Sequence, residues 1–495
     1  MLRLSGRWVS LIILVGLFGL SISFLGMVSR YVPPQASLDA AYYHVMAEQL
    51  ENGKGFTEPF IWHFLNDYQE IEHPMDYWMP LGIVFYYFAR LGIGSAGEVW
   101  VNIFIWALLS VLVFVEVKKI TQKKSVAMFA FLTMLLSGRY LFYVLTTDNV
   151  AFYALFGFLF FKQLGSKNSS WHFTSIAGGA AALVRIEGLV IALVGGIFEL
   201  HKTRSFKTIF GYFVVLLLIL SPWMLRNQRV FSHPWPSNSR ALFVSEYNDM
   251  FRRDVELNPA SYISKGSKFI INQKLKGIWN SILNFIAAPG LLVMYPLWLV
   301  GLIVLWKSSG RYFASLLLFF ILFCGLIVPV QAEKGSALHI SAFFFPLFAV
   351  LGATGLGYLQ NYFRMSARVC VLLILVLSVW ALFTTYYSTV SLITEYTHNN
   401  GPYKSLLAKL SFAGRKVVST DPVRVYYGTG ASGVISSSVD PWEPVRLADD
   451  YACDTIIIDK RAIDYKPLPE SVDWHEVASD THLKVFFRKS DGKKK

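Results

Sequence analysis

The sequence predicts a polytopic α-helical membrane protein of about eleven transmembrane helices, followed by a small extracytoplasmic α/β domain. Three observations point there. The first is composition: 54% of the 495 residues are hydrophobic and 16% are charged, where a soluble domain carries roughly 25% charged residues. The second is a recurrence of apolar runs, several near the ~20 residues that a span needs. The third is the placement of the basic residues. They fall in short clusters between the apolar runs, which is the signal that sets membrane topology. The formal charge of +13 therefore reads as orientation. No basic stripe with interleaved aromatics suggests nucleic-acid binding.

The first apolar run, 8–29, follows Arg3 and Arg7. It is long enough to span, and "FLGMVSRYVPP" offers a poor small-residue cleavage site, so it reads as an uncleaved helix with its N-terminus inside. Further runs follow at 98–115, 125–143, 149–162, 173–185, 187–200, 208–225, 288–306, 312–330, 338–358 and 369–388. With the N-terminus inside, the inner loops are "KKITQKK", "KQLGSK", "HKTRSFK", "KSSGR" and "FRMSAR", every one of them basic. The outer segments are then 30–97, "SGRYLFYVLTTDN", 226–287, "QAEKGSALH" and the tail. The expected organisation is a membrane domain over 1–388, with outer loops 30–97 and 226–287, and an extracytoplasmic domain over 389–495. In that tail "RKVVST", "TIIID" and "KVFFRK" read as strands and "PWEPVRLADDYACD" contains a helix. The final "DGKKK" reads as a frayed terminus. Cys324, Cys370 and Cys453 have no zinc or disulfide spacing and read as small buried hydrophobes.

The polar residues that stand out lie in the outer segments. Asp39 opens "DAAYYHVMAEQL", a short amphipathic helix that also carries Tyr43 and His44. An Asp there caps a helix and suits its dipole, or it is a carboxylate held at the interface as a base or substrate anchor. Asp148 in "TTDNVAF" likewise begins an apolar helix, and Thr147 can cap there equally well. Two acids at outer helix ends can converge on one site. "EHPMDYWMPL" gathers Glu72, His73, Asp76, Tyr77 and Trp78, where interfacial anchoring competes with substrate binding. Asp39, His44 and His73 can in principle hold a divalent cation, but no spacing pattern supports a metal, so a divalent cation stays open and no cofactor is assigned.

"LVRIEGLV" places Arg185 and Glu187 between two apolar runs, as an ion pair that closes a turn or as a functional pair. Arg226, beside Trp223, either snorkels or clamps a phosphate. Arg139, Lys334 and His339 are further outer cations. "GTGASG" places Gly428, Gly430 and Gly433 as GxGxxG. A dinucleotide fold needs a strand before it, which "VRVYY" can supply, and a helix after it, which "ASGVISSSVDP" does not, so turn glycines explain it better.

In order and sidedness, "LDAAYYHVMAEQLENGKGF", "HPMDYWMPL", "TTDN", "RIEG" and "SPWMLRN" resemble the GT-C membrane glycosyltransferases. The likeness is strongest to the dolichyl-phosphate-mannose–protein mannosyltransferase-like (family 39) and aminoarabinose transferase-like groups, over roughly residues 1–360. The resemblance implies a sugar donor carried on a polyprenyl phosphate and used on the outer face, in the inner or plasma membrane of a bacterial cell. It implies that Asp39 stands for the first-loop acid and Asp148 for the second. His73-Pro74-Met75 stands for the family's His-Pro-Pro element with one proline missing. Arg139-Tyr140 resembles an Arg-Tyr pair that lies closer to the second acid in the mannosyltransferases, and "KGSALHISAFFFP" resembles a late outer loop.

Chemistry then suggests Asp39 as the base that deprotonates an acceptor hydroxyl, with Asp148 as a second catalytic acid. Arg226, Lys334, His339 and Arg139 face the donor phosphate. His73, Tyr77, Tyr43, Arg185 and Glu187 contact substrate. Direct displacement inverts the anomeric centre. The acceptor is a lipid, a glycan or a protein. The competing reading is a lipid or glycan transporter or flippase. That reading calls for repeats, broken helices and midplane charges, and no repeat stands out.

Overall fold

The computed structural model describes residues 6–166, 170–235, 238–291, 293–437, 440–461, 466–469 and 473–489. Arg3 and the final "DGKKK" lie outside the described residues, as does the side chain of Lys334. The protein is mostly helical, at 69%. It divides into two compact units. One comprises 1–35, 78–234 and 268–392, and the other 36–77, 235–267 and 393–495.

The first unit is a helical assembly. Among the described residues five helices are long and apolar enough to cross a membrane: Trp8–Ser29, Ala96–Thr121, Phe206–Phe231, Trp306–Leu326 and Ala367–Leu407. Shorter apolar helices accompany them at Leu81–Ile93, Lys124–Leu135, Val150–Gly165 and Tyr295–Val304. Several expected runs are interrupted. Run 125–143 breaks between Lys124–Leu135 and Arg139–Val144, where Gly138 takes φ 61°. Its amide donates to Thr385 Oγ1 at 2.8 Å, which satisfies a backbone group freed by the break. Run 338–358 breaks between Ala337–Ser341 and Phe345–Tyr362, with Pro346 in the first turn of the second helix. Run 288–306 breaks between Ser267–Gly290 and Tyr295–Val304.

Two helices occupy what the sequence suggested were outer loops: Leu81–Ile93, and Ser267–Gly290 with its interspersed lysines. The last span continues past 388 as helix to Leu407. Two buried carboxylates in this unit have polar partners among the described residues. Arg90 lies 2.9 Å from Glu98, and Glu199 accepts from Thr174 Oγ1 at 2.8 Å.

The second unit carries the strands. A two-stranded antiparallel ribbon joins β1 (Thr57–Glu58) to β3 (His73–Pro74), with Glu58 opposite His73. A six-stranded sheet runs β2-β5-β4-β6-β8-β7, formed by β2 (Phe60–Ile61), β4 (Lys416–Ser419), β5 (Ser432–Ile435), β6 (Thr455–Asp459), β7 (Trp474–Ser479) and β8 (Leu483–Arg488). β2, β5, β4 and β6 are parallel, while β6, β8 and β7 are antiparallel.

Alternation sends Val418, Val434 and Ile456 into one core and Val417 and Ile457 into another. The helices Pro422–Thr429 and Glu443–Asp450 cover these two faces, through Val425 and Leu447 respectively. The strands and the helix expected in the tail are therefore present, but "VRVYY" is helix rather than strand. Gly430 caps that helix at φ 72° and Gly433 lies in β5. The glycines thus close a helix–turn–strand, the reverse of the dinucleotide order.

The sequence left 36–77 and 235–267 with the membrane domain. In the structure they pack with 393–495. Ile61, Phe64, Tyr68 and Ile71 share a core with Val418, Val434 and Ile456.

Candidate functional site

Asp148 sits in the turn that precedes the helix Val150–Gly165, in the first unit, and is fully buried. The turn is held on several sides. Tyr86 Oη and Asn102 Nδ2 donate to the Asp148 carbonyl at 2.6 and 2.9 Å, and Asn102 also donates to the Thr146 carbonyl at 2.8 Å. Thr147 N donates to Pro34 O at 2.9 Å, and Asn149 Nδ2 donates to Val184 O at 3.1 Å. The carboxylate itself accepts from Val150 N through Oδ1 at 3.2 Å, so part of the expected capping role is real. The same Oδ1 lies 3.5 Å from His339 Nδ1. Oδ2 is buried and makes no hydrogen bond among the described residues. A buried carboxylate with one spare oxygen beside an imidazole is an arrangement that capping alone does not require.

Other expected residues in this unit fall into separate groups. Arg185 pairs with Glu187 at 3.1 Å and lies over the Trp78 ring at 5.6 Å, so the turn-closing ion pair is present. Arg226 lies within the helix Phe206–Phe231 rather than beyond its end. It stacks over Trp223 and Phe231 at 4.7 and 5.1 Å and donates to Asn227 Oδ1 at 3.0 Å. Arg139 is exposed at the start of its short helix, while the following Tyr140 Oη meets Ser341 Oγ at 2.5 Å. A cavity of about 350 Å³ in this unit is lined by Lys119, Lys162 and Ser308, not by Asp148. It gathers residues read as inner loops and is no part of the acid site.

In the second unit, Asp39 lies in the first turn of the helix Leu38–Glu51. The N-cap is Ser37, whose Oγ accepts from Ala40 N at 3.0 Å. Asp39 is half-buried near Tyr247, whose hydroxyl is pushed up to about 12 by burial and then by the Asp39 charge. Tyr43 is buried against Tyr42, and Tyr77 packs edge-on to Trp62 at 4.8 Å.

His73 belongs to a buried polar cluster that the sequence showed only in part. Its Nε2 lies 3.6 Å from Glu58 Oε2, and Asp76 and His63 stand 3.8 Å apart beside them. Burial, reinforced by Asp76, holds the Glu58 carboxyl well above its ordinary range. Burial also lowers His73, and it takes His63 down to about 4. Glu58 and His63 were legible only as an acid and an imidazole stranded among aromatics in "EPFIWHFL".

No family model matches the chain, and no curated protein matches it by sequence. Solved structures do match by shape. ArnT from Cupriavidus metallidurans in the apo state aligns with TM-score 0.54 and 14% identity, over 97% of this chain and 98% of its own. The same protein bound to undecaprenyl phosphate aligns with TM-score 0.51 and 14% identity, over 98% of each chain. The chain therefore has the fold of ArnT, an aminoarabinose transferase of the GT-C class.

Proposed function

We propose that this protein is an integral-membrane glycosyltransferase. It moves a sugar from a polyprenyl-phosphate donor to an acceptor hydroxyl at the outer membrane face. The observation that carries this reading is the buried Asp148, with a spare oxygen and His339 at 3.5 Å, in a chain with the ArnT fold. A carboxylate buried among apolar helices is expensive and marks function. A structural neighbour that binds undecaprenyl phosphate supplies the donor class. The basic inner loops support a cytoplasmic N-terminus and an extracytoplasmic second unit. Of the eleven expected spans, the five long helices and the shorter apolar ones together are read as crossing or entering the membrane.

The reaction needs little acid catalysis, because the leaving group is already a phosphate. The acceptor oxygen attacks the anomeric carbon, and the bond from that carbon to the phosphate oxygen breaks. Its electron pair leaves with polyprenyl phosphate, and the hydroxyl proton passes to a carboxylate. Asp39 is the proposed base, and the displacement inverts the anomeric centre. Asp148 faces His339 at 3.5 Å, and that imidazole is a candidate to stabilise charge developing on the phosphate. Arg226, Lys334 and Arg139 are the further candidate cations for that charge. Tyr43, Tyr77, Arg185 and Glu187 are the candidate contacts to sugar and acceptor.

The test is detergent-purified protein incubated with a panel of labelled polyprenyl-phosphate sugars and acceptors, scored for released polyprenyl phosphate. Release from at least one donor is expected. Asp39→Asn and Asp148→Asn, folded to the same midpoint as wild type, should each lower it by about a hundred- to ten-thousand-fold. Full activity in Asp39→Asn removes the base assignment. No release from any donor, together with movement of labelled lipid across proteoliposomes, favours a flippase instead.

A further inference from the structure

We infer that Glu58, His73 and Asp76 form a binding site for one divalent transition-metal cation of the zinc type. One donor atom from each residue lies within 4.8 Å of the others. All three are buried, with relative exposures of 0%, 8% and 3%. The site lies wholly within the second unit and does not rest on the transferase reading.

The hydrogen bonds around Glu58 and His73 leave one atom of each over. His73 Nδ1 meets the Ile71 carbonyl at 2.9 Å. A carbonyl only accepts, so Nδ1 carries the proton and Nε2 of the neutral ring is a lone pair. That lone pair faces Glu58 Oε2 at 3.6 Å, and neither atom makes a hydrogen bond among the described residues. A proton shared between them would draw them to roughly 2.7–2.9 Å. By contrast, two ligand atoms each about 2.1 Å from one tetrahedral ion stand roughly 3.4 Å apart. The observed separation is that of two ligands with room for an ion.

The other oxygens are already engaged. Tyr42 Oη donates to Glu58 Oε1 at 2.6 Å, Tyr68 Oη donates to Asp76 Oδ2 at 2.8 Å, and Asn66 donates to the same Asp76 oxygen. Ligands oriented by outer hydrogen bonds in this way are the usual support of a metal site. One imidazole nitrogen with two carboxylates suits a transition cation better than calcium or magnesium, which prefer all-oxygen shells. His63, with Nε2 3.8 Å from Asp76 Oδ1, is a further candidate donor.

The cation would have a structural task. Glu58 and His73 face each other across a ribbon of only two residues per strand, which is marginal without help. One ion bound to both strands and to Asp76 staples the segment 57–76. His73, expected as a substrate contact, is in this reading a metal ligand.

The full chain in detergent, stripped with a chelator and dialysed, is titrated with Zn²⁺ alone against a chromophoric competitor, and its thermal midpoint is followed. One equivalent should bind at micromolar or tighter affinity and raise the midpoint. Glu58→Gln and His73→Gln should each weaken binding at least tenfold. Asp148→Asn, in the other unit, should keep the full equivalent. If the two ligand variants unfold, Tyr42→Phe, which removes only the hydrogen bond to Glu58, should still weaken binding severalfold. Wild type that takes up no Zn²⁺, or ligand and Tyr42 variants that bind as tightly as wild type, overturns the site.

Discussion

Ser37 and Asp39 are two residues apart, and their variants separate a helix cap from a chemical group. Ser37 Oγ accepts the Ala40 amide, so Ser37→Ala should cost about 1 kcal/mol of stability and leave sugar transfer intact. Asp39→Asn should do the reverse, keeping the midpoint and losing transfer. Thermal unfolding and polyprenyl-phosphate release, measured on both variants, check the pair, and lost transfer in Ser37→Ala would mean that helix placement alone controls activity. The sequence carried the Asp because it opens an amphipathic stretch. It offered Asp39 as the cap where the structure uses Ser37, because Ser and Asp both serve there and only backbone geometry chooses between them. Asp148 was legible for a similar reason, as a polar turn ahead of an apolar run. Tyr86 and Asn102 were not. They are ordinary residues of apolar helices until the turn at 146–149 brings its carbonyls to them. Tyr86→Phe should therefore lower transfer through a loosened Asp148 turn, with about 1 kcal/mol lost from stability in the same measurements.

At the scale of the element, apolar runs located the helices and their interruptions escaped. Leucine-rich stretches are apolar on either side of Gly138 and of Ala342–Phe344, so periodicity cannot show that the chain stops and restarts there. The helix Ser267–Gly290 escaped for the opposite reason, because Lys268, Lys274 and Lys276 dilute its apolar face until it reads as a loop. Close helix contacts were equally hidden. Gly301, on Tyr295–Val304, and Gly355, on Phe345–Tyr362, lie where the two backbones nearly touch. A Cβ on Gly355 would meet the Leu297 carbonyl at 2.0 Å, and one on Gly301 would meet that of Leu351 at 1.9 Å. Within a membrane, small residues of this kind let helices approach and supply the packing that the hydrophobic effect does not. Gly355→Leu must push the pair apart, at a cost of about 1–3 kcal/mol or more. The expected outcome is a lowered unfolding midpoint in detergent, and an unchanged midpoint would show that these helices do not pack as described. Gly53→Ala, in an open turn with nothing within 4 Å but φ +74°, controls for strain without a clash.

At the scale of the whole molecule, the second unit is assembled from three separated stretches, 36–77, 235–267 and 393–495. Composition read the polar tail as a domain in its own right because its strands are contiguous in sequence. The missing part is held by tertiary contacts. β2 adds Phe60 and Ile61 to the parallel edge of the sheet beside Gly433 and Val434. Phe64 N donates to Met250 O at 2.7 Å, and Tyr451 Oη donates to Tyr68 O at 2.8 Å. Ile61, Phe64, Tyr68 and Ile71 are all buried in the core with Leu447 and Ile456. At roughly 2 kcal/mol for each large side chain buried, these four supply on the order of 8 kcal/mol. That is comparable to the entire net stability of a typical domain, about 5–15 kcal/mol. The tail is therefore not separable. Residues 393–495 expressed alone lack an edge strand and one wall of the core, and should show no cooperative unfolding transition by circular dichroism. A chain ended at 392 should lose hydrogen-exchange protection across 57–77, while the amides of Ala96–Thr121 in the other unit stay protected. Cooperative unfolding of the isolated tail, or unchanged protection of 57–77 without it, would show that the two stretches fold independently of each other.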